Sequence, residues 1–231
     1  MKSAVVIFPG SNCEMDTVLA IEKISGRTPE KVWHKDSLPS DTDLVVLPGG
    51  FSYGDYLRVG AIAKVSPVMQ SVQRHAEAGG LTIGICNGFQ ILLECGLLPG
   101  AMMRNRGLHF VCKWTNLKVT RNDTPFTRFS KDVLHIPVAH ATGNYFVEPG
   151  KLQEIEDRGQ VLFRYCTPEG ELTDAANPNG SLNSIAGITN EQGNVLGLMP
   201  HPERAINKEL GSADGILFWE SVLGAQTVST P

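Results

Sequence analysis

The 231-residue sequence predicts an α/β fold, with an open, mainly parallel sheet, helices on both faces and antiparallel additions in the C-terminal half. Three observations carry this. Short continuous apolar runs, Ala4–Phe8, Leu44–Leu47 and Leu81–Ile85, read as strands buried on both faces. Helical segments alternate with them. The second half loses that alternation and becomes rich in strands.

The elements follow in order. Ala4–Phe8 ends at Pro9-Gly10, after which Ser11 or Asn12 is expected to cap a helix. Glu14 and Asp16 then occupy its first turn, where the helix dipole favours anions. Lys31–His34 is a short strand and Leu44–Leu47 a clearer one. Ser66-Pro67 starts a helix that runs to Gly79-Gly80, with Pro at the first helical position. Leu81–Ile85 leads into a helix over Asn87–Cys95 that ends at Gly96. Strands are then expected at Phe110–Trp114, Leu117–Thr120, Val133–Val138 and Val161–Tyr165. Two more, Ser184–Thr189 and Val195–Met199, are joined by the turn Asn190–Asn194. A final amphipathic helix is expected over Ala213–Leu223, and Gly224–Pro231 reads as a frayed tail.

Composition narrows the function classes. Apolar residues make up 42% and charged residues 19%, as in an ordinary globular chain. The 20 Lys+Arg against 24 Asp+Glu give a net charge of -4, which leaves no basic excess to cover a phosphate backbone. Nucleic-acid binding is therefore not expected. The run Ala4–Phe8 is too short for a signal sequence, and no stretch approaches the ~18 apolar residues of a membrane span. Five scattered cysteines fit a reduced, cytoplasmic compartment better than a disulfide framework.

The strongest chemical signal is Gly84-Ile85-Cys86-Asn87-Gly88, between an apolar strand and a helix. This is a nucleophile elbow with sulfur in place of oxygen. Side chains two residues before and after the nucleophile would collide on so sharp a turn, so glycine is needed at both places. The helix start beneath the sulfur favours thiolate, and the Asn87 backbone N–H can donate to an oxyanion. A lone cysteine is ordinarily a small buried hydrophobe; its place between strand and helix argues for chemistry here.

A second signal is Met199-Pro200-His201-Pro202-Glu203 after the last strand. Pro202 is expected to hold His201 extended and to prevent a helix from starting, leaving His201 and Glu203 on one face. The carboxylate would then orient the imidazole towards a thiol, as nucleophile–base–orienter catalysis requires. A third is the loop Pro48–Asp55, whose glycines lack any nucleotide-binding pattern. It lies at the carboxyl edge of the sheet, beside the elbow, where Gly50 could supply a second oxyanion donor. Cys13 also opens a helix after a strand, but Ser11 and Met15 stand where an elbow needs glycine, so it reads as structural. The odd spacing of His109 and Cys112 places them on opposite faces of a strand, which argues against a metal.

With these signals in this order, the chain resembles the class I (triad) glutamine amidotransferases. PGSNCEMD, PGGFSYGDYLRVGAIA, GICNGFQIL, LPGAMMRN, NPNGS and IAGITNEQGNVLGLMPHPERA resemble, more narrowly, the glutaminase subunits of phosphoribosylformylglycinamidine synthase, from Ala4 to past Trp219. GICNGFQ and MPHPER belong to the wider class; GGFSYGDYLR and NPNGS are specific to the narrower family. The resemblance implies a single flavodoxin-like domain over residues 1–231. It implies that Cys86 attacks the amide of glutamine, His201 moves the protons, Glu203 orients His201, and the N–H groups of Gly50 and Asn87 hold the oxyanion. Gln90, one helical turn beyond Cys86, would help bind the substrate. Ammonia would pass to a large, separate synthetase subunit that uses ATP, magnesium and formylglycinamide ribonucleotide in de novo purine synthesis. A small bridging subunit is expected in a chain of this free-standing form, which would itself carry no cofactor or metal. The chain departs from the family at Ala141 and Thr142, where glycine and glutamate are commoner. Two other readings stand beside this one. A cysteine peptidase or deglycase-like enzyme usually has its base histidine directly behind the cysteine, where this chain has Asn87. A binding subunit that has lost its chemistry would not need Cys86, His201 and Glu203 intact.

Overall fold

The computed structural model describes residues 1–224 and contains a nine-stranded sheet and a two-stranded one. The parallel part is built from β1 (Ser3–Ile7), β2 (Glu30–Trp33), β3 (Leu44–Leu47), β4 (Leu81–Ile85) and, from far along the chain, β11 (Val195–Leu198). These strands lie in the order β2-β1-β3-β4-β11, all parallel. Four antiparallel strands extend the sheet beyond β11: β10 (Ile185–Thr189), β9 (Val161–Cys166), β6 (Val111–Val119) and β7 (Val133–His140). The expected mainly parallel sheet with late antiparallel additions is what forms.

The apolar runs are strands because each is covered on both faces; every residue of β3 is buried. The crossover from β1 to β2 runs one way along the sheet and that from β3 to β4 the other. Right-handed connections therefore put α1 (Glu14–Ser25) and α2 (Pro67–Glu77) on opposite faces. α5 (Gly215–Gly224) packs against α1, and α3 (Asn87–Glu94) packs on β4 and β11.

Several boundaries differ from the sequence reading. Cys13, and neither Ser11 nor Asn12, is the N-cap of α1, and no side chain caps it. The strands expected at Phe110–Trp114 and Leu117–Thr120 are one continuous strand, β6, because Thr115 and Asn116 both continue the ladder with β7, and Asn116 also opens the ladder with β9. His109 lies before that strand, so the opposite-face argument against a His109–Cys112 metal pair does not apply. Ser184 closes a 3-10 turn ahead of β10, and the last helix begins at Gly215 rather than Ala213. α4 (Pro149–Asp157) and the small sheet of β5 (Ala101–Met103) and β8 (Asn144–Phe146) went unpredicted. Of the expected tail, Gly224 ends α5, and residues 225–231 lie outside the described residues.

Candidate active site

The carboxyl ends of β1, β3, β4 and β11 converge on one cavity of about 110 Å3, lined by Cys13, Gly50, Phe51, Cys86, Phe110, Ala139, His201 and Arg204. This is the edge at which parallel α/β sheets bind ligands. A larger groove of about 550 Å3, lined by Met1, Asp43, His75 and Leu81, lies at the opposite edge, where β1, β3 and β4 begin. Its histidine, His75, is engaged with Leu81 O at 3.1 Å, and its Thr42 hydroxyl donates to Pro39 O.

Cys86 sits between β4 and α3 with φ 51° and ψ -102°, a left-handed backbone rare for a residue with a side chain. Its N–H donates to Leu198 O at 2.8 Å, which ties the elbow to β11. Both flanking glycines are sterically required. A Cβ on Gly84 would lie 2.5 Å from the Gly88 carbonyl, and one on Gly88 would lie 1.9 Å from Leu47 O. Cys86 is 6% exposed, and its Sγ lies 3.7 Å from Ala139 O. Asn87 is the first residue of α3, so its N–H has no acceptor within the helix.

His201 arrives from the end of β11, and its N–H donates to Pro137 O at 2.9 Å. The expected extended run does not form. Pro202 opens a 3-10 turn, Pro202–Arg204, for which His201 is the N-cap. Proline suits the first position of a helical turn because its missing N–H would have had no partner there. The turn still brings Glu203 Oε1 to 2.6 Å from His201 Nδ1, with both residues 2% exposed. His201 Nε2 is buried without a hydrogen-bond partner, so it is the nitrogen left for chemistry. Burial opposes charge on this imidazole most strongly. The Glu203 carboxylate, then the sulfurs of Cys86 and Cys13, outweigh it and hold His201 protonated well above the ordinary value of 6.5.

The glycine loop closes the cavity. Gly50 has φ 153°, and a Cβ there would lie 2.7 Å from Gly10 O and from Ser11 Cα. The Gly49 carbonyl accepts from the N–H groups of Asn12 and Cys13 at 3.3 and 3.2 Å, which sets the plane of the Gly49–Gly50 peptide. Asn87 joins loop to elbow, its Oδ1 accepting from Ser52 N–H at 3.1 Å. Gln90, expected to bind substrate, has its amide engaged within the protein. It accepts from Asn87 Nδ2 at 3.0 Å and donates to Thr142 O at 2.6 Å.

Cys13, structural by its flanking residues, faces the same cavity and packs beside His201. Its thiol donates to Asn12 Oδ1 at 3.1 Å and accepts from Arg204 at 3.1 Å; burial first of all pushes it above its usual range, with His201 pulling the other way. Arg204 was missed altogether, although it directly follows the His-Pro-Glu signal. Ligand atoms of Cys13, His201 and Glu203 lie within 4.8 Å of one another, close enough for a metal. The guanidinium against Cys13 and the bond between His201 and Glu203 make this a hydrogen-bonded cluster, a poor place for a cation.

The fold and this site define a class I glutamine amidotransferase. A family model described as a CobB/CobQ-like glutamine amidotransferase domain matches residues 1–214. The chain belongs to the family of phosphoribosylformylglycinamidine synthase PurQ subunits. It is 56% identical over 217 residues to the PurQ subunit of Moorella thermoacetica, covering 93% of this chain and 92% of that one. It is 53% identical to that of Gloeobacter violaceus, covering 97% and 98%. Among solved structures, PurLQS from Thermotoga maritima matches with a TM-score of 0.86 and 43% identity, over 98% of this chain and 99% of that one. A glutamine amidotransferase from the same organism shares the fold at a TM-score of 0.58 and 17% identity, over 96% and 90%. Among the described residues, no helix is long and apolar enough to cross a membrane.

Proposed function

We propose that this chain is the glutaminase subunit of a phosphoribosylformylglycinamidine synthase, a single cytoplasmic domain over residues 1–231. The observation that carries the reading is the strained Cys86, whose sulfur shares one cavity with a buried His201–Glu203 pair. The thiol proton rests on His201 Nε2, as a thiolate–imidazolium pair, and the Cys86 thiolate adds to the amide carbon of glutamine. The oxyanion is held by the N–H groups of Gly50 and Asn87. His201 returns the proton to the nitrogen as the C–N bond breaks, leaving ammonia and a Cys86 thioester. Water, deprotonated by the same imidazole, adds to the thioester carbon. Collapse releases glutamate and restores the thiol. Glu203 holds Nδ1–H throughout and stabilises the imidazolium. Gln90 supports the substrate wall through Thr142.

Ammonia passes to a large synthetase subunit of the PurL type, joined by a small bridging subunit of the PurS type. The synthetase spends ATP, with magnesium, to convert formylglycinamide ribonucleotide to formylglycinamidine ribonucleotide; this chain needs no cofactor or metal. The test uses the assembled enzyme. Cys86→Ala should abolish synthesis from glutamine and leave synthesis from added ammonia, because ammonia bypasses the thioester. His201→Ala should behave alike, with a loss of ~10²–10⁴ in the glutamine reaction. Retention of glutamine-dependent synthesis by Cys86→Ala would defeat the mechanism.

A further inference from the structure

LPGAMMRN and NPNGS, two segments for which the triad supplies no role, meet at one buried histidine behind the cavity wall. His140 closes β7 and is 3% exposed. Its Nδ1 lies 3.1 Å from Asn105 Oδ1 and its Nε2 lies 3.4 Å from Asn179 Nδ2. The Gly143 N–H donates to Asn105 Oδ1 at 3.0 Å, which identifies that atom as oxygen, so His140 Nδ1 must be a donor. Ser181 N–H donates to Asn179 Oδ1 at 3.1 Å, so Asn179 Nδ2 is a donor and His140 Nε2 accepts. Both ring nitrogens are used and the ring is neutral. Burial, reinforced by the charge on His201, lowers it to about 4. It is therefore not a second base.

Asn105 does more than hold the ring. Its Nδ2 donates to His140 O at 2.9 Å, and its backbone N–H donates to Ala141 O at 2.9 Å. One residue, itself 1% exposed, thus ties down the 140–143 segment, its side chain holding His140 and Gly143 and its backbone holding Ala141. The fit is close, since a Cβ on Gly143 would lie 2.4 Å from His140 Cε1. This segment and the residue before it present two carbonyls to the site: Ala139 O at Cys86 Sγ and Thr142 O at Gln90 Nε2.

We propose that Asn105 is a positioning residue for the glutaminase reaction, holding residues 139–143, through the His140 hub and Asn179, as the wall against which glutamine meets Cys86. The proposal rests on the glutaminase reading. The titratable groups facing the hub are His201 and, through Asn179, Tyr165.

The test compares two electrophiles at Cys86 of the full chain within the assembled enzyme: iodoacetamide, which needs only the thiol, and a glutamine-shaped chloroketone, which needs the wall. A displacement of about 1 Å costs roughly 10²-fold. Asn105→Ala should therefore react about 10²-fold more slowly with the chloroketone and at the wild-type rate with iodoacetamide. Asn105→Asp keeps the Oδ1 acceptor that serves His140 Nδ1–H and Gly143 N–H, replaces the Nδ2 donor to the His109 and His140 carbonyls with an oxygen, and sets a charge beside His140 Nδ1, which favours imidazolium. The acid limb of its chloroketone rate should move to higher pH than in wild type, a change that loss of packing alone would not produce. Should Asn105→Ala fail to fold, the Asp variant carries the test. Equal slowing with both reagents, no slowing, or an unmoved limb in Asn105→Asp would overturn the proposal. A wild-type chain indifferent to the chloroketone would instead overturn the glutaminase reading beneath it.

Discussion

Glu203→Gln exchanges a carboxylate for an amide of the same shape against an imidazole with no alternative partner. Oε1 lies 2.6 Å from His201 Nδ1, and both residues are buried. The amide oxygen can still accept from Nδ1–H, so the ring keeps its orientation and tautomer; only the counter-charge to the imidazolium goes. A hydrogen bond to a charged partner is worth ~1.5–3 kcal/mol and a neutral one ~0.5–1.5 kcal/mol. The exchange therefore costs about 1–1.5 kcal/mol when the imidazolium forms, or roughly tenfold in rate. Glu203→Ala also leaves Nδ1–H unpaired in a buried place, a further ~1–3 kcal/mol. Its loss should reach roughly 10²–10³-fold. Glutamate release by the assembled enzyme measures both, and synthesis from added ammonia, which both variants should retain, is the internal control. Equal turnover in all three proteins, or a Gln variant no better than the Ala variant, would refute an orienting and charge-stabilising Glu203.

A glutamine-shaped electrophile should label Cys86 before any other thiol. Burial pushes Cys13 and Cys166 up and Cys95 to about 11, and exposed Cys112 lies outside the cavity; peptide mapping that finds Cys13 labelled first would reverse the assignment. The isolated chain should be a poor glutaminase that its synthetase partner activates by ~10²–10³, the worth of one oxyanion donor. Turning the Gly49–Gly50 peptide must break the bonds from Asn12 and Cys13, and steady-state glutamate production equal in chain and complex would dismiss the switch. Stability should fall as pH drops from about 6.5 towards 5, at up to ~1.4 kcal/mol per pH unit, because the unfolded chain binds a proton that folded His140 refuses until about 4. His201, held upward, contributes stability that is complete below about 6.5 and lost as pH rises through its folded value. Denaturation curves should thus show His140→Gln flattening the acid slope alone; an unchanged slope there would remove His140 as its source.

The elbow was legible because its demands are local. A strand, a glycine at each flank and a helix start all lie within a few residues, and the collisions at Gly84 and Gly88 are the ones that the pattern implies. The same locality misled at Pro202, which forbids a helix passing through it but suits the first position of a turn, and the 3-10 turn forms there. β5 and β8 escaped notice because three-residue strands carry no periodicity; their pairing with each other defines them.

The buried runs, their alternation with helices, the elbow turn and the presence of a His-Pro-Glu segment were all decided by the order of residues along the chain, because burial on both faces and steric limits at a turn act between near neighbours. What surrounds the sulfur was decided by tertiary structure alone. Ala139 O reaches Cys86 across 53 residues of chain, Arg204 crosses 191 to Cys13, and Asn105 and Asn179 meet at His140 from either side. Such meetings depend on strand order and on the register of β7 and β11 within one sheet. Those are set by how the whole core packs, and no window of sequence contains them.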